Sequence, residues 1–180
     1  MQRIYRCELT PEEYVASEGH RQVLSERLCP RCGRPGRLHR HGNYRRGITG
    51  GIGQIVMIWV ARFLCLKCGR TVSYLPHFAF SYRLVAVGTF EAFLEGRGSR
   101  RDVLRWEPLL KEYERRMKAY RLALWRAIGH GLGGSPPVAE GPWPWLKEAC
   151  GGLGSAACRL VNEFRTTLFG RYHCHQPAKG

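Results

Sequence analysis

The stretch CPRCG at residues 29–33 occurs again as CLKCG at residues 65–69, and this repeat is a strong structural signal. Two residues between cysteines let one tight turn present both thiolates to a tetrahedral metal ion, with metal–sulfur bonds of about 2.3 Å. The glycine after each pair permits a positive φ, which lets backbone amides turn toward the sulfurs. The sequence therefore predicts one structural Zn²⁺ in a ribbon-type pair of knuckles. The predicted ligands are Cys29, Cys32, Cys65 and Cys68.

Disulfides, redox chemistry and a catalytic metal fit these cysteines less well. The chain has 8 cysteines and no secretory leader, a combination that favours metal over disulfides. A redox Cys-x-x-Cys pair needs a strand–helix context that this glycine-rich segment lacks. Four thiolates close the coordination shell, so the predicted zinc is structural and not catalytic. Buried reduced cysteines remain an alternative, as do His39 and His41 as substitute ligands, although we expect these histidines to contact phosphate or solvent.

A second group of ligand-type side chains lies near the C-terminus. Its spacing does not form two tight ligand pairs. Cys150 and Cys158, its first two members, could lie on the packed face of an ordinary helix. Packing is therefore the favoured interpretation, and a second metal site stays open. The group consists of Cys150, Cys158, His173, Cys174 and His175.

Charge is distributed unevenly along the chain. The net charge is +15, from 29 Lys and Arg against 14 Asp and Glu. Residues 27–90, called the basic segment below, hold 11 of these basic residues and no acid. A solvated face normally interleaves both signs, so this segment indicates a polyanionic partner. We expect nucleic acid, with an acidic membrane surface as the second choice.

The predicted fold class is α+β, with a small β zinc ribbon followed by a mainly α-helical region that contains a helix-turn-helix-like unit. Residues 1–26 are expected to form an N-terminal arm with a short helix. Glycines and β-branched residues favour short strands over residues 27–78, the predicted ribbon. Residues 79–130 would form the helix-turn-helix-like unit. Residues 131–180 would form a Gly/Pro linker, a last helix and a flexible tail.

Local signals set the expected helix boundaries. Thr10-Pro11-Glu12-Glu13 is a helix start, with a capping hydroxyl, a first-turn proline and two acids. Glu107-Pro108 is expected to break or restart the chain. An apolar seam from Trp106 to Leu124 predicts packing against the rest of the domain, with a short coiled-coil dimer as the alternative. The other predicted helices are residues 84–94, 100–106 capped by Ser99, 109–128 and 154–169.

Membrane and enzymatic functions are not expected. The longest apolar run, residues 55–61, is too short to span a bilayer, and no signal peptide is recognised, so a cytoplasmic protein is predicted. Metal-assisted phosphodiester chemistry needs converging carboxylates, but Asp102 is the only aspartate and fits a helix start better. Gly129, Gly131 and Gly134 match G-x-G-x-x-G without the strand and helix that dinucleotide binding requires, which indicates a linker.

Residues 29–33, 40–46 and 62–71 together resemble a known module. With residues 75–83 and 99–106, they resemble the zinc-ribbon and helix-turn-helix N-terminal region of bacterial insertion-sequence transposases. The resemblance covers about residues 27–106 and implies binding to the terminal DNA of a mobile element. Such transposases continue into an acidic-triad nuclease domain, for which residues 107–180 leave no room. The resemblance therefore implies an accessory protein, a regulator or a shortened transposase without strand-transfer chemistry of its own.

The expected function is zinc-stabilised binding of double-stranded DNA, as a homodimer or beside a transposase or nuclease partner. Arginines on the candidate recognition helix would read guanine edges; they are Arg100, Arg101 and Arg105. Arginines of the ribbon would contact phosphates; they are Arg40, Arg45, Arg46, Arg62 and Arg70.

Two other functions stay open. An RNA-binding protein would stack single-stranded bases on aromatic side chains of the basic segment. The candidates are Tyr44, Trp59, Phe63 and Tyr74. A protein-interaction adaptor would use the long helix and the tryptophans Trp143 and Trp145.

Overall fold

A computed structural model describes residues 1–36, 38–129 and 141–171 of the 180-residue chain. Within these residues the protein is mixed α/β, with a four-stranded sheet and six α-helices, which confirms the predicted class. The strands are β1 (Gln2–Tyr5), β2 (His39–Thr49), β3 (Ile55–Cys65), β4 (Arg70–Pro76), β5 (Thr166–Thr167) and β6 (Gly170–Arg171). The helices are α1 (Pro11–Ala16), α2 (Val87–Leu94), α3 (Arg101–Ala119), α4 (Arg121–Ile128), α5 (Trp143–Cys150) and α6 (Leu153–Asn162).

The main sheet is built on a long hairpin. Strands β2 and β3, of eleven residues each, pair antiparallel, with Arg45 opposite Trp59. β4 pairs antiparallel with β3, and β1 lies parallel to β4, so the strand order is β1-β4-β3-β2. The β-branched and aromatic residues of β3 suit its central position. β2 forms one edge of the sheet and is exposed over most of its length.

The two faces of the sheet carry separate cores. Alternate residues of β3, such as Ile58 and Val60, enter a core of 29 buried residues shared with the helices. Ala61 and Phe63 point to the other face, where eight buried residues form a smaller core beside the cysteines. The larger core includes Ile4 as well as residues of α2 to α6. A division of the chain at residues 26/27 or 78/79 would cut through this core.

Helix α1 begins as its sequence predicts. The Thr10 hydroxyl accepts a hydrogen bond from the Glu13 amide at 3.2 Å, and a Glu13 carboxylate oxygen accepts one from the Thr10 amide at 2.8 Å. This reciprocal capping box satisfies two amide groups that the first turn leaves open. The short helix then packs on β3, where the Tyr14 hydroxyl donates to the Trp59 carbonyl at 3.1 Å.

The start of α3 differs from the prediction. The residue at its N-cap is Arg100, and Ser99 does not cap it. Asp102 lies buried in the first turn, with only 1% of its surface exposed. There it accepts hydrogen bonds from the Thr89 hydroxyl at 3.0 Å and from the Arg100 guanidinium at 2.8 Å. A carboxylate near the positive end of the helix is favourable, which explains why α3 starts here without a hydroxyl cap.

The predicted break at Glu107-Pro108 is wrong. Helix α3 runs through Pro108 and ends at Ala119. A proline in a helix interior removes the hydrogen bond to the carbonyl four residues earlier, here that of Leu104. Leu104 is 57% exposed, so water can reach that carbonyl and reduce the cost. The candidate recognition helix is therefore the first part of a 19-residue helix.

The predicted helix over residues 109–128 is two helices, because α3 ends at Ala119 and α4 starts at Arg121. Its apolar seam packs inside the protein, as the favoured interpretation expects. The seam residues Leu110, Tyr113, Met117 and Leu124 all lie in the larger core. That burial removes the surface that a coiled-coil dimer through this seam would need.

The C-terminal part is more ordered than predicted. Trp143 and Trp145 belong to helix α5 and not to a linker, and Trp143 is buried. The last helix, α6, ends at Asn162, well before Phe169, and the short β5–β6 hairpin follows it. The rest of the predicted linker, residues 130–140, and residues 172–180 of the predicted tail lie outside the described residues. No helix in the described ranges combines the length and apolarity needed to cross a bilayer.

Candidate metal centre and nucleic-acid interface

Four cysteine sulfurs meet between the two knuckles. The Sγ atoms of Cys29 and Cys68 lie 3.9 Å apart, as do those of Cys32 and Cys65. All four sulfurs lie within 4.8 Å of one another. In a tetrahedral site with metal–sulfur bonds of about 2.3 Å, neighbouring sulfurs are separated by about 3.8 Å. The cluster is therefore compatible with a single metal ion, and the predicted ligand set is brought together in full.

The two knuckles have the same backbone geometry. The amides of Gly33 and Gly69 each donate at 2.8 Å to the carbonyl of the first cysteine of their pair. Both glycines have left-handed φ values, 68° and 64°, which a side chain would strain. The second knuckle joins β3 to β4, while the first is closed by the Cys29 amide, which donates to the Arg34 carbonyl at 3.1 Å.

The thiols differ in acidity. Burial by itself raises the pKa of Cys65, but amide hydrogen bonds from Cys68 and Lys67 and the neighbouring Cys29 thiol outweigh it and bring the pKa to about 7. Burial, helped by the adjacent thiols, raises the pKa of Cys68 to about 11. Burial also raises the pKa of Cys29. A metal ion must therefore displace protons to bind, and its affinity falls as the pH falls.

The second predicted ligand group does not assemble within the described residues. Cys158 packs against β1, where its thiol donates to the Ile4 carbonyl at 3.4 Å. The sulfur of Cys150 lies 4.0 Å from an Arg159 nitrogen. In the described ranges, the four knuckle cysteines are the only cluster of three or more potential metal ligands. His39 and His41 lie on exposed β2, outside that cluster. His173, Cys174 and His175 lie outside the described residues.

Positive charge in the basic segment is not balanced by acids. No salt bridge with a described acid is formed by Arg27, Arg31, Arg34, Arg40, Arg45, Arg62, Lys67, Arg70 or Arg83. Helix α3 shows the opposite pattern. Glu112 pairs with Arg115 and Arg116, and Glu107 pairs with Lys111, at helical spacings. The surplus charge of the protein therefore lies on the sheet and its knuckles.

Arg40 and Arg46, two predicted phosphate contacts, make structural hydrogen bonds. Arg40 donates to the carbonyls of His20, Arg21 and Val23 at 3.0–3.3 Å and lies over the Phe63 ring. It thereby fixes the N-terminal arm to β2. Arg46 donates to the carbonyls of Phe80 and Arg83, which holds the loop after β4 against the sheet.

The three other arginines predicted to contact phosphate make fewer hydrogen bonds within the described part of the protein. Arg45 is exposed, with its guanidinium 5.7 Å from the centre of the Trp59 ring. Arg70 is exposed at the start of β4. Arg62 is half-buried and donates to the Thr71 hydroxyl at 3.3 Å.

The three arginines of the candidate recognition helix differ in how exposed they are to a DNA ligand. Arg100 is tied to buried Asp102, whereas Arg101 and Arg105 are exposed on the first turns of α3. The β2–β3 turn packs beside them, because the Trp106 indole donates to the Gly53 carbonyl at 2.9 Å. The candidate recognition helix is thus attached to the tip of the basic hairpin.

Of the four aromatic residues expected to stack on bases, two are buried and cannot contact a base. Phe63 and Tyr74 are buried in the smaller core, with their ring centres 5.3 Å apart. Tyr44 is half-buried, while Trp59 is 44% exposed on the face of β3 that also carries Met57. Trp59, Phe63 and Tyr74 lie on the same face of the sheet, and the smaller core covers only the knuckle end of that face, so residue alternation in the sequence could not separate the buried rings from the exposed one.

Carboxylates do line one cavity, of about 370 Å³, between α1, α2 and α3. Each is already hydrogen-bonded to the protein. Glu12 accepts from the Gly51 amide at 2.9 Å, and Glu91 accepts from the Leu153 amide at 2.6 Å. Burial raises the pKa of Glu91. Together with the bonds of Asp102, these contacts give the acids a structural role.

Comparison with known proteins adds one finding. No curated protein and no solved structure matches the chain. The family model described as "Domain of unknown function (DUF6431)" matches residues 29–107, under half of the chain, from the first knuckle cysteine to the second turn of α3.

Proposed function

We propose that this protein is a zinc-stabilised DNA-binding protein in which the basic hairpin β2–β3 and the start of α3 contact duplex DNA. One observation carries the proposal: the basic segment supplies 11 positive charges without an acid. Its exposed arginines, such as Arg45 and Arg70, have no carboxylate partner among the described residues. Phosphate groups of nucleic acid would supply that missing negative charge.

Zinc is the proposed ion because of the chemistry of its ligands. Four thiolates in a tetrahedron suit zinc or an iron–sulfur centre. A single closed shell of four thiolates gives a structural ion that cross-links the two knuckles. Native mass spectrometry and metal analysis of the purified protein test this directly. One zinc per chain is the expected result, whereas a coloured, iron-containing protein would contradict it.

The shape of the hairpin suits a duplex. Eleven residues at about 3.3 Å per residue give strands about 36 Å long, close to one turn of B-DNA. Beyond the pairing of β3 with β4, residues 44–49 and 55–60 form a two-stranded ribbon, an arrangement that the major groove admits. Arg45 lies midway along β2, Arg70 lies beyond the knuckle end, and Arg101 and Arg105 lie by the turn.

Salt titration of duplex binding tests the proposal. The logarithm of the affinity should fall linearly with the logarithm of salt concentration, with a slope of about −0.9 for each phosphate contacted. Arg45→Gln and Arg70→Gln should each weaken binding and make the slope less steep by about 1. Arg115→Gln removes the same charge from a salt-bridged site on α3 and should change neither quantity. A wild-type affinity insensitive to salt would contradict phosphate binding.

Single-stranded RNA is a second candidate ligand, supported by exposed Trp59 beside Arg45. Base–aromatic stacking contributes about 1–3 kcal/mol per base. Trp59→Ala should therefore weaken RNA binding by about fivefold to 150-fold and leave duplex binding nearly unchanged. Competition between a short duplex and a single-stranded RNA on the wild-type protein separates the two candidates.

The role in transposition is the more specific part of the proposal and rests on the resemblance of residues 27–106. It implies a cytoplasmic, nucleoid-associated protein that acts beside a transposase or nuclease and performs no strand transfer itself. Selection from random duplexes tests it, because enrichment of one defined site is expected of a protein that binds element ends. The adaptor alternative is less well supported, because the apolar seam of α3 and α4 and Trp143 are buried.

A further inference from the structure

A polar cleft lies at one end of the sheet. Gly42, Arg62, Ser73 and Gln2 face one another in register across all four strands. They share the sheet face that farther along carries the larger core, but here polar side chains replace apolar ones. The cleft has a volume of about 400 Å³.

The cleft presents hydrogen-bond donors. The Arg62 guanidinium donates to the Thr71 hydroxyl at 3.3 Å, and the Gln2 amide donates to the Tyr44 hydroxyl at 3.3 Å. Both hydroxyls accept these bonds, so their own protons remain available to a ligand. Among the described residues, Thr71 is the only acceptor for Arg62, which leaves most donors of its planar fork available. The Ser73 hydroxyl lies directly opposite Arg62 on β4.

The charge of the cleft is positive. Arg62 and Arg46 both line it, and none of the described residues that line it is acidic. Charges removed from water are normally paired, so a half-buried guanidinium without a carboxylate indicates an external anion. A forked guanidinium surrounded by hydroxyl groups matches the oxygens of a phosphate.

The space exceeds what inorganic phosphate needs and falls in the range of small-ligand sites. Tyr82 lines the same cleft as Tyr44, and its φ of 58° holds an aromatic residue in the left-handed region, where such residues are uncommon. The Arg62 guanidinium lies 6.0 Å from the centre of the Tyr44 ring, so the Tyr82 ring is the one that would contact a sugar or base attached to the phosphate.

We propose that this cleft binds the phosphate of a nucleotide unit, with Arg62 as its principal ligand. The proposal deepens the proposed function, on which it rests for the class of ligand. The phosphate belongs either to a nucleic-acid strand or to a free nucleotide, since the recognising chemistry is the same.

Calorimetric titration with adenosine 5′-monophosphate at low salt tests the cleft independently of DNA. The nucleotide should bind, inorganic phosphate should compete with it, and adenosine should bind at least about tenfold more weakly. Arg62→Gln should weaken nucleotide binding by at least about tenfold, and Arg62→Lys should weaken it less, because lysine keeps the charge but not the fork. Arg115→Gln, on α3, is the matched control and should bind like the wild type. Zinc content and circular dichroism verify that each variant is folded.

Equal binding of adenosine and its monophosphate, an unchanged affinity in folded Arg62→Gln, or no binding to the wild type would each overturn the proposal. Adding a short duplex to the nucleotide-loaded protein then identifies the source of the phosphate. Displacement of the nucleotide supports a strand phosphate in the cleft, and binding of the duplex without displacement supports a free nucleotide. Should the wild type fail to bind duplex at all, the proposed function is refuted while the nucleotide titration still tests the cleft.

Discussion

Removing the metal ion should release the first knuckle and leave the rest of the fold in place. The perturbation is chelation of the protein in reducing buffer, or the single change Cys32→Ser. The ion joins two knuckles that the rest of the fold stabilises to different extents. The second knuckle lies between two paired strands, β3 and β4, whereas the first, residues 27–36, has few hydrogen bonds beyond its own turn.

The free energy that the metal must contribute can be estimated from the cost of ordering the first knuckle and from the apolar surface it buries. Ordering the ten backbone residues of the first knuckle costs about 10–20 kcal/mol at about 1–2 kcal/mol each. Burial of Leu38 and part of Phe63 in the smaller core returns about 3–5 kcal/mol. A structural zinc contributes about 10–16 kcal/mol at pH 7 in zinc-finger peptides. The contribution of the ion therefore offsets the entropy cost that burial alone does not cover, and without the ion the first knuckle should open. The larger core, with 29 buried residues, needs no contribution from the metal.

Hydrogen exchange followed by mass spectrometry measures this directly. Amides of residues 28–36 should lose at least about a hundredfold protection when the metal is chelated, equivalent to about 2.7 kcal/mol. Amides of α3 around Leu110 and Met117 should keep theirs. The matched control is Cys158→Ser, which removes a half-buried thiol outside the metal cluster and should retain one ion per chain.

Two results would refute this reasoning. Undiminished protection of the first knuckle after complete chelation would mean that the apolar contacts suffice without an ion. Loss of protection in α3 together with the knuckle would mean that the two cores unfold as one unit.

Three further predictions concern the charged groups. Arg45→Gln should lower the affinity for duplex DNA without changing the melting temperature, because its guanidinium is exposed and lies over the Trp59 ring. Fluorescence anisotropy and thermal melting measure the two quantities. Asp102→Ala should lower the free energy of unfolding by about 2–3 kcal/mol in a denaturant titration, because a buried carboxylate and its bond to the partly exposed Arg100 are lost. A decrease below about 0.5 kcal/mol, the usual effect of a surface substitution, would contradict this prediction. Burial raises the pKa of Glu91, so its contribution to stability is present below the unfolded-state pKa and is lost as the pH rises through the folded-state value. Glu91→Gln should therefore gain stability relative to the wild type as the pH rises above about 4.3, the usual pKa of glutamate, and parallel stability curves would disprove the assignment.

The metal cluster and the first helix could be predicted because their determinants are local. Each cysteine pair and its glycine form one turn, and Thr10 and Glu13 cap the helix that they begin. Residue spacing fixes such contacts regardless of the rest of the chain. The mixed α/β class followed from composition, with glycines and β-branched residues before the helical segments.

Other features depend on contacts between distant parts of the chain. Nothing near Arg40 in the sequence indicates that it binds carbonyls of residues 20–23 instead of phosphate. Pro108 predicts a helix break by its own chemistry, but packing of the apolar seam on both sides of it maintains α3. The polar neighbours of Arg62 on β4 were missed for the same reason, although the alternating polar residues Thr71 and Ser73 offered a signal.

The parallel pairing of β1 with β4 has a practical consequence for anyone who shortens this protein. A fragment cut to the family match at residues 29–107 would lack β1 and leave the backbone of residues 73–76 without its neighbour. It would also lack α6, whose Asn162 side chain holds β1 in place through the Ile4 backbone. An open strand of this kind invites a second copy to add its own strand. Such fragments are expected to self-associate, and full-length expression is the safer route to a monodisperse sample.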